Sequence, residues 1–258
     1  MIKVDLNCDM GESFGMYKLG NDEEMMQYIT SANIACGFHA GDPHVMRRTT
    51  ELAKRYGVGI GAHPAFPDVI GFGRRYMKCT PGEIKDYVTY QTGALREFAA
   101  ANGLRIQHCK PHGALYMMAM DDEQLARAIL EAIADMDSQT VVFALNNSAV
   151  AEIGKQMGIP VALEAYSDRE HTATGSIVLT RTGPSIQDYR DMAERVVRMV
   201  KEGRVVTHTG EDASIIAQTV CIHGDTPGAT ELAKAIVEAL KQNEIKIAPI
   251  REVLGVGC

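Results

Sequence analysis

Short, nearly continuous apolar runs in this chain are separated by longer stretches with the three-to-four-residue spacing of helices. The apolar runs are "IKVDLNC" (2–8), "SANIAC" (31–36), "VGIGAH" (58–63), "LRIQHCK" (104–110), "TVVFAL" (140–145), "PVALEAY" (160–166) and "QTVCIH" (218–223). Runs of that length predict strands buried on both faces. Between them, "DPHVMRRTTELAKRYG" opens on an Asp–Pro pair suited to an N-cap and first helical position and closes on Gly57. "TPGEIKDYVTYQTGALREFAAANG" carries Thr80 and Glu83 at capping-box spacing. Four more helical patterns follow, "DDEQLARAILEAIAD", "NSAVAEIGKQMG", "SIQDYRDMAERVVRMVKEG" and "PGATELAKAIVEALKQNE". Strand–helix alternation with short links predicts a parallel sheet with right-handed crossovers. About seven such units predict an α/β fold of (β/α)-barrel type, as one domain over residues 1–258, in preference to an open doubly wound sheet. One segment breaks the rhythm: "GRVVTHTGEDASIIA" (203–217) reads as a small hairpin placed before the last barrel strand.

The polar residues collect where the strands end. Asn7, Asp9, Glu12 and Ser13 follow the first run, and His39 and Asp42 the second. His63, Asp68, Arg74 and Arg75 follow the third, and Lys110, His112 and Tyr116 the fourth. Asp168, Arg169 and His171 follow the sixth, and His223 and Asp225 the seventh. In a parallel barrel these positions meet at one rim, where the active sites of such folds lie. Three chemistries suit the inventory. One is metal-assisted hydrolysis with Asp9, His39 and His63 as ligands from adjacent strands. Another is metal-free acid–base hydrolysis, with Lys110 and an arginine polarising a carbonyl or neutralising an anion. The third, phosphoryl handling, lacks its usual loop, because no GxxxxGK[ST] occurs.

Composition narrows the partners. Asp and Glu number 33 against 26 Lys and Arg, a balance that disfavours nucleic acid and anionic membrane surfaces. Six cysteines at 8, 36, 79, 109, 221 and 258 form no CxxC pair and read as small buried residues of a reducing compartment. The opening "MIKVDLNCDMGE" has no apolar leader pattern, and no run is long enough to span a bilayer, so a soluble, cytoplasmic protein is expected. Met25, Met26, Met117, Met118 and Met120 are either core filling or an apolar docking patch.

Five stretches taken together, "DLNCDMGESFG", "ANIACGFHAGDP", "GAHPAFPD" with "GFGRR", "KPHGALY" and "CIHGDTPGA", resemble the signatures of the LamB/YcsF family, the A subunits of 5-oxoprolinase, in order, from residue 4 to about residue 250. The resemblance implies a distorted barrel related to glycoside hydrolase and polysaccharide deacetylase barrels. It also implies ATP-dependent opening of the 5-oxoproline lactam to L-glutamate, carried out with partner subunits B and C. The partners would use ATP to activate the lactam carbonyl, and this chain, which shows no nucleotide loop, would hydrolyse the activated ring. Asp9, Glu12, His39, Asp42, His63, Lys110, His112, His223 and Asp225 occupy motif positions. On this reading Asp9 or His63 is the base for water. Lys110 and His112 stabilise the oxyanion and protonate the leaving nitrogen, with His39 in the same catalytic group. Arg74 or Arg75 holds a substrate carboxylate or phosphate, and Asn7, Glu12, Asp42, Asp168, Arg169, His223 and Asp225 complete the binding set. Where the family pattern runs "FADRxY" and then "GLVPR", this chain has "YSDREHTATGSIVLTR": Tyr166, Ser167, His171 and Thr180 replace Phe, Ala, Tyr and Pro, while Asp168, Arg169 and Arg181 persist. Two other readings compete, a metal-dependent amide or N-acetyl hydrolase and a non-catalytic subunit that presents substrate to its partners.

Overall fold

A computed structural model describes residues 1–178, 188–225 and 227–256. Its elements, in order, are β1 (Lys3–Met10), α1 (Asp22–Met25), β2 (Ser31–Ala35), α2 (Pro43–Tyr56), β3 (Gly59–His63), α3 (Pro81–Ala101), β4 (Ile106–Cys109), α4 (Gly113–Asp121), α5 (Glu123–Asp137), β5 (Val141–Leu145), α6 (Ala149–Met157), β6 (Val161–Tyr166), α7 (Tyr189–Glu202), β7 (Arg204–Val206), β8 (Asp212–Ser214), β9 (Thr219–Cys221), α8 (Ala229–Gln242), β10 (Lys246–Ile247) and α9 (Ile250–Leu254). Seven strands pair in parallel in the order β1-β2-β3-β4-β5-β6-β9, and β9 pairs back onto β1, so the sheet closes into a barrel. The seven expected strands are all present, and β7 and β8 form the expected antiparallel hairpin. The two-residue β10, too short to leave a periodic signal, lies beside Lys3 and Val4, below the point where β9 takes over the same edge of β1.

The caps act as their residue types dictate. Asp42 accepts from the backbone N–H of His44 and Val45, Pro43 opens α2, and Gly57 closes it in the left-handed region at φ +69°. At α3 the Thr80 hydroxyl accepts from Glu83 N–H while the Glu83 carboxylate accepts from Thr80 N–H, a closed capping box. α3 packs on α5, α7 packs on α8, and the helices surround the barrel. Met25, Met26 and Met120 are buried and Met117 and Met118 half-buried, so these methionines pack the interior and build no exposed patch. Among the described residues, no helix is long and apolar enough to cross a membrane.

The strands are buried on both faces, but the two faces differ. Successive strand residues point to opposite sides of a sheet. On β1, Val4, Leu6, Cys8 and Met10 join the apolar layer shared with the helices. Asp5, Asn7 and Asp9 occupy the alternate positions and make polar contacts across the barrel. Asp5 accepts from the hydroxyls of Thr30, Ser31 and Thr219. One layer up, Asn7 donates to Glu164 and Thr219, Asn33 donates to Asn7, and His108 Nε2 donates to Asn33. Gly61 makes room for the His108 ring, which a Cβ at that position would strike. The lumen is thus a hydrogen-bonded polar stack, in which His108 Nδ1 alone among these named groups is buried without a partner.

Candidate active site

The stack rises to a cavity at the carboxyl ends of the strands. Its wall includes Asp9, Glu12, His63, Arg74, Lys110, His112, Tyr116, Tyr166, Arg169, His223 and Asp225. The cavity therefore lies at the rim where the strand ends gather.

Lys110 forms the floor. Its Nζ lies 2.9 Å from Glu164 Oε1 and 3.2 Å from Asp9 Oδ1. It also lies 3.3 Å from Asn7 Oδ1, 3.1 Å from Cys221 Sγ and 5.1 Å from the centre of the Tyr166 ring. Burial would favour the neutral amine, but Asp9, Cys221 and Glu164 outweigh it and hold Lys110 firmly as an ammonium. Burial likewise works against the Asp9 carboxylate, yet His63 and Lys110 keep Asp9 well below the usual carboxylate range. Glu12 stands in the opposite condition, pushed well up by burial and by the charges of Asp9 and Asp225. Two carboxyls on one rim thus have their proton affinities driven apart, a pattern that marks functional sites.

Three histidines pack beside them. His63 Nδ1 is 2.6 Å from the Lys110 carbonyl, and its Nε2 is 3.4 Å from Asp9 Oδ2 and 2.9 Å from His112 Nδ1. His112 Nε2 is 2.8 Å from the Phe72 carbonyl. His39 stacks on His112 with ring centres 3.7 Å apart, and its Nε2 is 3.2 Å from Glu12 Oε1. Burial and the neighbouring rings hold His39 and His112 well below the ordinary histidine range, as neutral imidazoles. Gly73, at φ +63°, brings its backbone against both rings, where a Cβ would meet His112 Cδ2 and His39 Cβ at 2.8 Å.

The far wall carries the second set. His223 Nδ1 is 2.8 Å from Asp168 Oδ1, and Arg169 Nη1 is 3.2 Å from Asp168 Oδ2. Burial raises the Asp168 carboxyl, but His223 and Arg169 more than offset that and lower it. Arg74 reaches over the Phe72 ring to within 3.6 Å of Asp225.

Several anticipated residues lie elsewhere. Asp42 is spent as the N-cap of α2 and also accepts from Gly15 N–H, so it makes no part of the cavity wall. Arg75 turns outward onto Asp68 with its side chain 59% exposed, leaving Arg74 as the arginine of that pair at the cavity. Asn7 sits one layer beneath, and His39 and Asp168 lie behind the lining, holding Glu12 and His223. Of the expected ligand set, His39 and His63 fall in one converging group and Asp9 in another. The potential ligand atoms that converge belong to Glu12, His39, His63 and His112, and separately to Asp9, Cys221 and His223. Thr180 and Arg181, where the chain departs from and rejoins the family pattern, lie outside the described residues, as does Cys258.

Glu164 is the participant that strand-end reading overlooks. It is fully buried, holds Lys110, and accepts from Asn7 and from the Tyr116 hydroxyl at 2.6 Å. Its signal was a single acidic residue inside the apolar run "VALEAY", since an unpaired buried carboxylate is too costly to keep.

A closed parallel barrel with an acid–base pocket at the carboxyl ends of its strands is the architecture of a hydrolase-like (β/α) barrel. Comparison with known proteins is more specific. The chain belongs to the LamB/YcsF family, whose pattern matches residues 4–255. It is 51% identical over 255 residues to the A subunit of 5-oxoprolinase from Pyrococcus abyssi, covering 98% of this chain and 100% of that protein. The crystal structure of a lactam utilization protein from Thermus thermophilus superposes with a TM-score of 0.90 at 42% identity, covering 95% of this chain and 99% of that one. The Bc1960 peptidoglycan N-acetylglucosamine deacetylase shares the fold at a TM-score of 0.53 and 10% identity, over 99% of this chain and 89% of that one.

Proposed function

We propose that this chain is the hydrolytic subunit of a cytoplasmic, ATP-dependent 5-oxoprolinase, opening the lactam of 5-oxoproline to L-glutamate together with partner subunits B and C. The name carried by relatives at about half identity over their full length supports the reaction class. One feature of the site carries the reading: the caged ammonium of Lys110 beside the Asp9–His63 pair at the floor of the cavity. No P-loop occurs in the sequence, which is in keeping with ATP being used by the partners.

In this reading the partners phosphorylate the lactam carbonyl oxygen. Water then adds at that carbon and the ring C–N bond breaks, so the ring nitrogen becomes the amino group of a γ-glutamyl phosphate, and a second water cleaves that acyl phosphate to glutamate and free phosphate. Lys110 faces the developing negative charge as a fixed cation that needs no reorganisation. The Asp9–His63 pair takes the proton of the attacking water and returns it to the leaving nitrogen. Both nitrogens of His112 are engaged, one by Phe72 and one by His63, so His112 serves His63 in preference to the substrate. Arg74, partly exposed at the mouth, and Arg169 take the substrate carboxylate or phosphate.

The test is glutamate release by the reconstituted three-subunit complex. Lys110→Ala is expected to lower turnover about 10²–10³-fold, the range for removing one oxyanion-stabilising donor. Unchanged turnover would remove Lys110 from the chemistry. The gathering of Glu12, His39, His63 and His112 favours one second reading, a metal-dependent amide hydrolase. Amide turnover by this chain alone, lost on chelation and regained with zinc, would select it.

A further inference from the structure

One group of side chains at the barrel mouth turns its potential ligand atoms toward a single point. His63 Nδ1 and His112 Nε2 each sit on a backbone carbonyl, at 2.6 Å and 2.8 Å. A carbonyl only accepts, so both of those nitrogens carry the ring proton. The other two ring nitrogens, His63 Nε2 and His112 Nδ1, face each other at 2.9 Å, and His63 Nε2 also lies 3.4 Å from Asp9 Oδ2. Glu12 Oε1 lies 3.7 Å from His112 Nδ1. Three potential ligand atoms, Glu12 Oε1, His63 Nε2 and His112 Nδ1, thus converge on one point of the cavity wall.

The surroundings match what a metal site requires. Ligating histidines are held by a hydrogen bond from the other ring nitrogen to a carbonyl or carboxylate, and both rings have that anchor. His39 Nε2 lies 3.2 Å from Glu12 Oε1 and its ring stacks on His112, steadying two ligand candidates at once. Glu12, His63 and His112 all line the cavity, whereas His39 stands behind it. Two histidines and a glutamate with an open position is a ligand set that suits catalytic zinc, whose ligand atoms stand about 3.3 Å apart in a tetrahedron. The observed 2.9 Å and 3.7 Å bracket that spacing. The other convergent group, Asp9, Cys221 and His223, is a poor cation site, because the Lys110 ammonium already lies 3.1 Å from Cys221 Sγ and 3.2 Å from Asp9 Oδ1.

We propose that Glu12, His63 Nε2 and His112 Nδ1 bind one divalent ion of the zinc class, with a coordination position open to the cavity. Binding stands independently of the reaction. Taken together with the proposed hydrolysis, it commits His63 to the ion and leaves Asp9 as the proton acceptor.

The experiment uses untagged full-length chain stripped with a chelator and then titrated with ZnCl2 by calorimetry, with CoCl2 absorption as a second readout. The expected result is one equivalent per chain and a tetrahedral or five-coordinate cobalt spectrum. His63→Gln and His112→Gln should each weaken binding at least 100-fold and Glu12→Gln at least tenfold, while exposed His44→Ala leaves it unchanged. Folding of each variant is checked by circular dichroism. If one variant fails to fold, the remaining ones and the wild-type cobalt spectrum decide. Absence of stoichiometric binding, or binding that survives the histidine substitutions, would overturn the site and leave a shared proton between His63 and His112. A metal-free complex that turns over 5-oxoproline at the full rate overturns any need for the ion in catalysis while the hydrolysis reading stands. A metal-loaded chain whose complex never releases glutamate does the reverse.

Discussion

Lys110 and Glu164 face each other at 2.9 Å across the barrel, with side chains 2% and 0% exposed. Neither charge could be kept there alone, and each justifies the other's presence in the lumen. Removing one partner of such a buried pair costs about 3–5 kcal/mol, because the survivor is left uncompensated. Glu164→Ala is expected to destabilise the chain by that order in urea unfolding. Glu164→Gln, which retains an acceptor for Asn7 and sets an amide N–H against the Tyr116 hydroxyl, should cost less. Equal stability of Glu164→Ala and the wild type would show that the pair is dispensable.

The two adjacent arginines should separate cleanly in kinetics. Arg74 lies at the cavity, and Arg75 is occupied by Asp68 on the outside. In the reconstituted reaction Arg74→Ala is expected to raise KM about tenfold or more, consistent with loss of a hydrogen bond to a charged group. Arg75→Ala should leave KM and kcat near wild type. A larger KM effect at Arg75 would mean that the loop rearranges when substrate binds.

Asp42 gives the converse case, a motif residue with a structural task. Asp42→Ala removes the side-chain acceptor for His44 and Val45 N–H. A cost of about 1 kcal/mol in unfolding free energy is expected, with kcat unchanged. A fall in kcat without loss of stability would return Asp42 to the site.

His108 sets an acid limit. Burial, then the charge of Lys110, pushes it down to about 3 from an ordinary value of 6.5. Between those values the unfolded chain binds the proton and the folded chain does not. Stability from this group is therefore complete above pH about 6.5 and is lost as the pH falls towards 3. His108→Gln, which retains a donor to Asn33, should flatten the decline of urea stability below pH 6.5 by up to about 1.4 kcal/mol per pH unit. An unchanged slope would show that His108 does not titrate with unfolding.

Much of this was legible from the chain. The strands announced themselves as apolar runs, and Thr80 with Glu83 and Asp42 with Pro43 announced their helix starts, because caps and strand burial are local matters. The rim was legible because parallel strands share a direction: His63, Lys110 and His223 are each within two residues of a strand's last residue. What could not be read was orientation. Arg74 and Arg75 are neighbours in sequence, and only the packing of the loop onto Asp68 and His112 decides which one faces inward. Glu164 and Asp5 were hidden differently. Their partners Lys110, Thr219 and Ser31 come from distant parts of the chain, so the pairing exists only once the barrel closes. Asp42 shows the limit of motif reasoning, since one carboxylate satisfies both a cap and a family pattern, and only coordinates show where it points.

The polar stack beneath the cavity has a consequence for traffic. Asp5, Ser31, Asn33, His108 and Thr219 are fully sealed, and their hydrogen bonds knit the lumen shut below Asn7. The barrel is a cul-de-sac and not a conduit. Whatever reacts above Lys110 must leave through the opening by which it came. A partner seated over that opening would therefore have to lift away, or leave a gap, before the next molecule could be admitted.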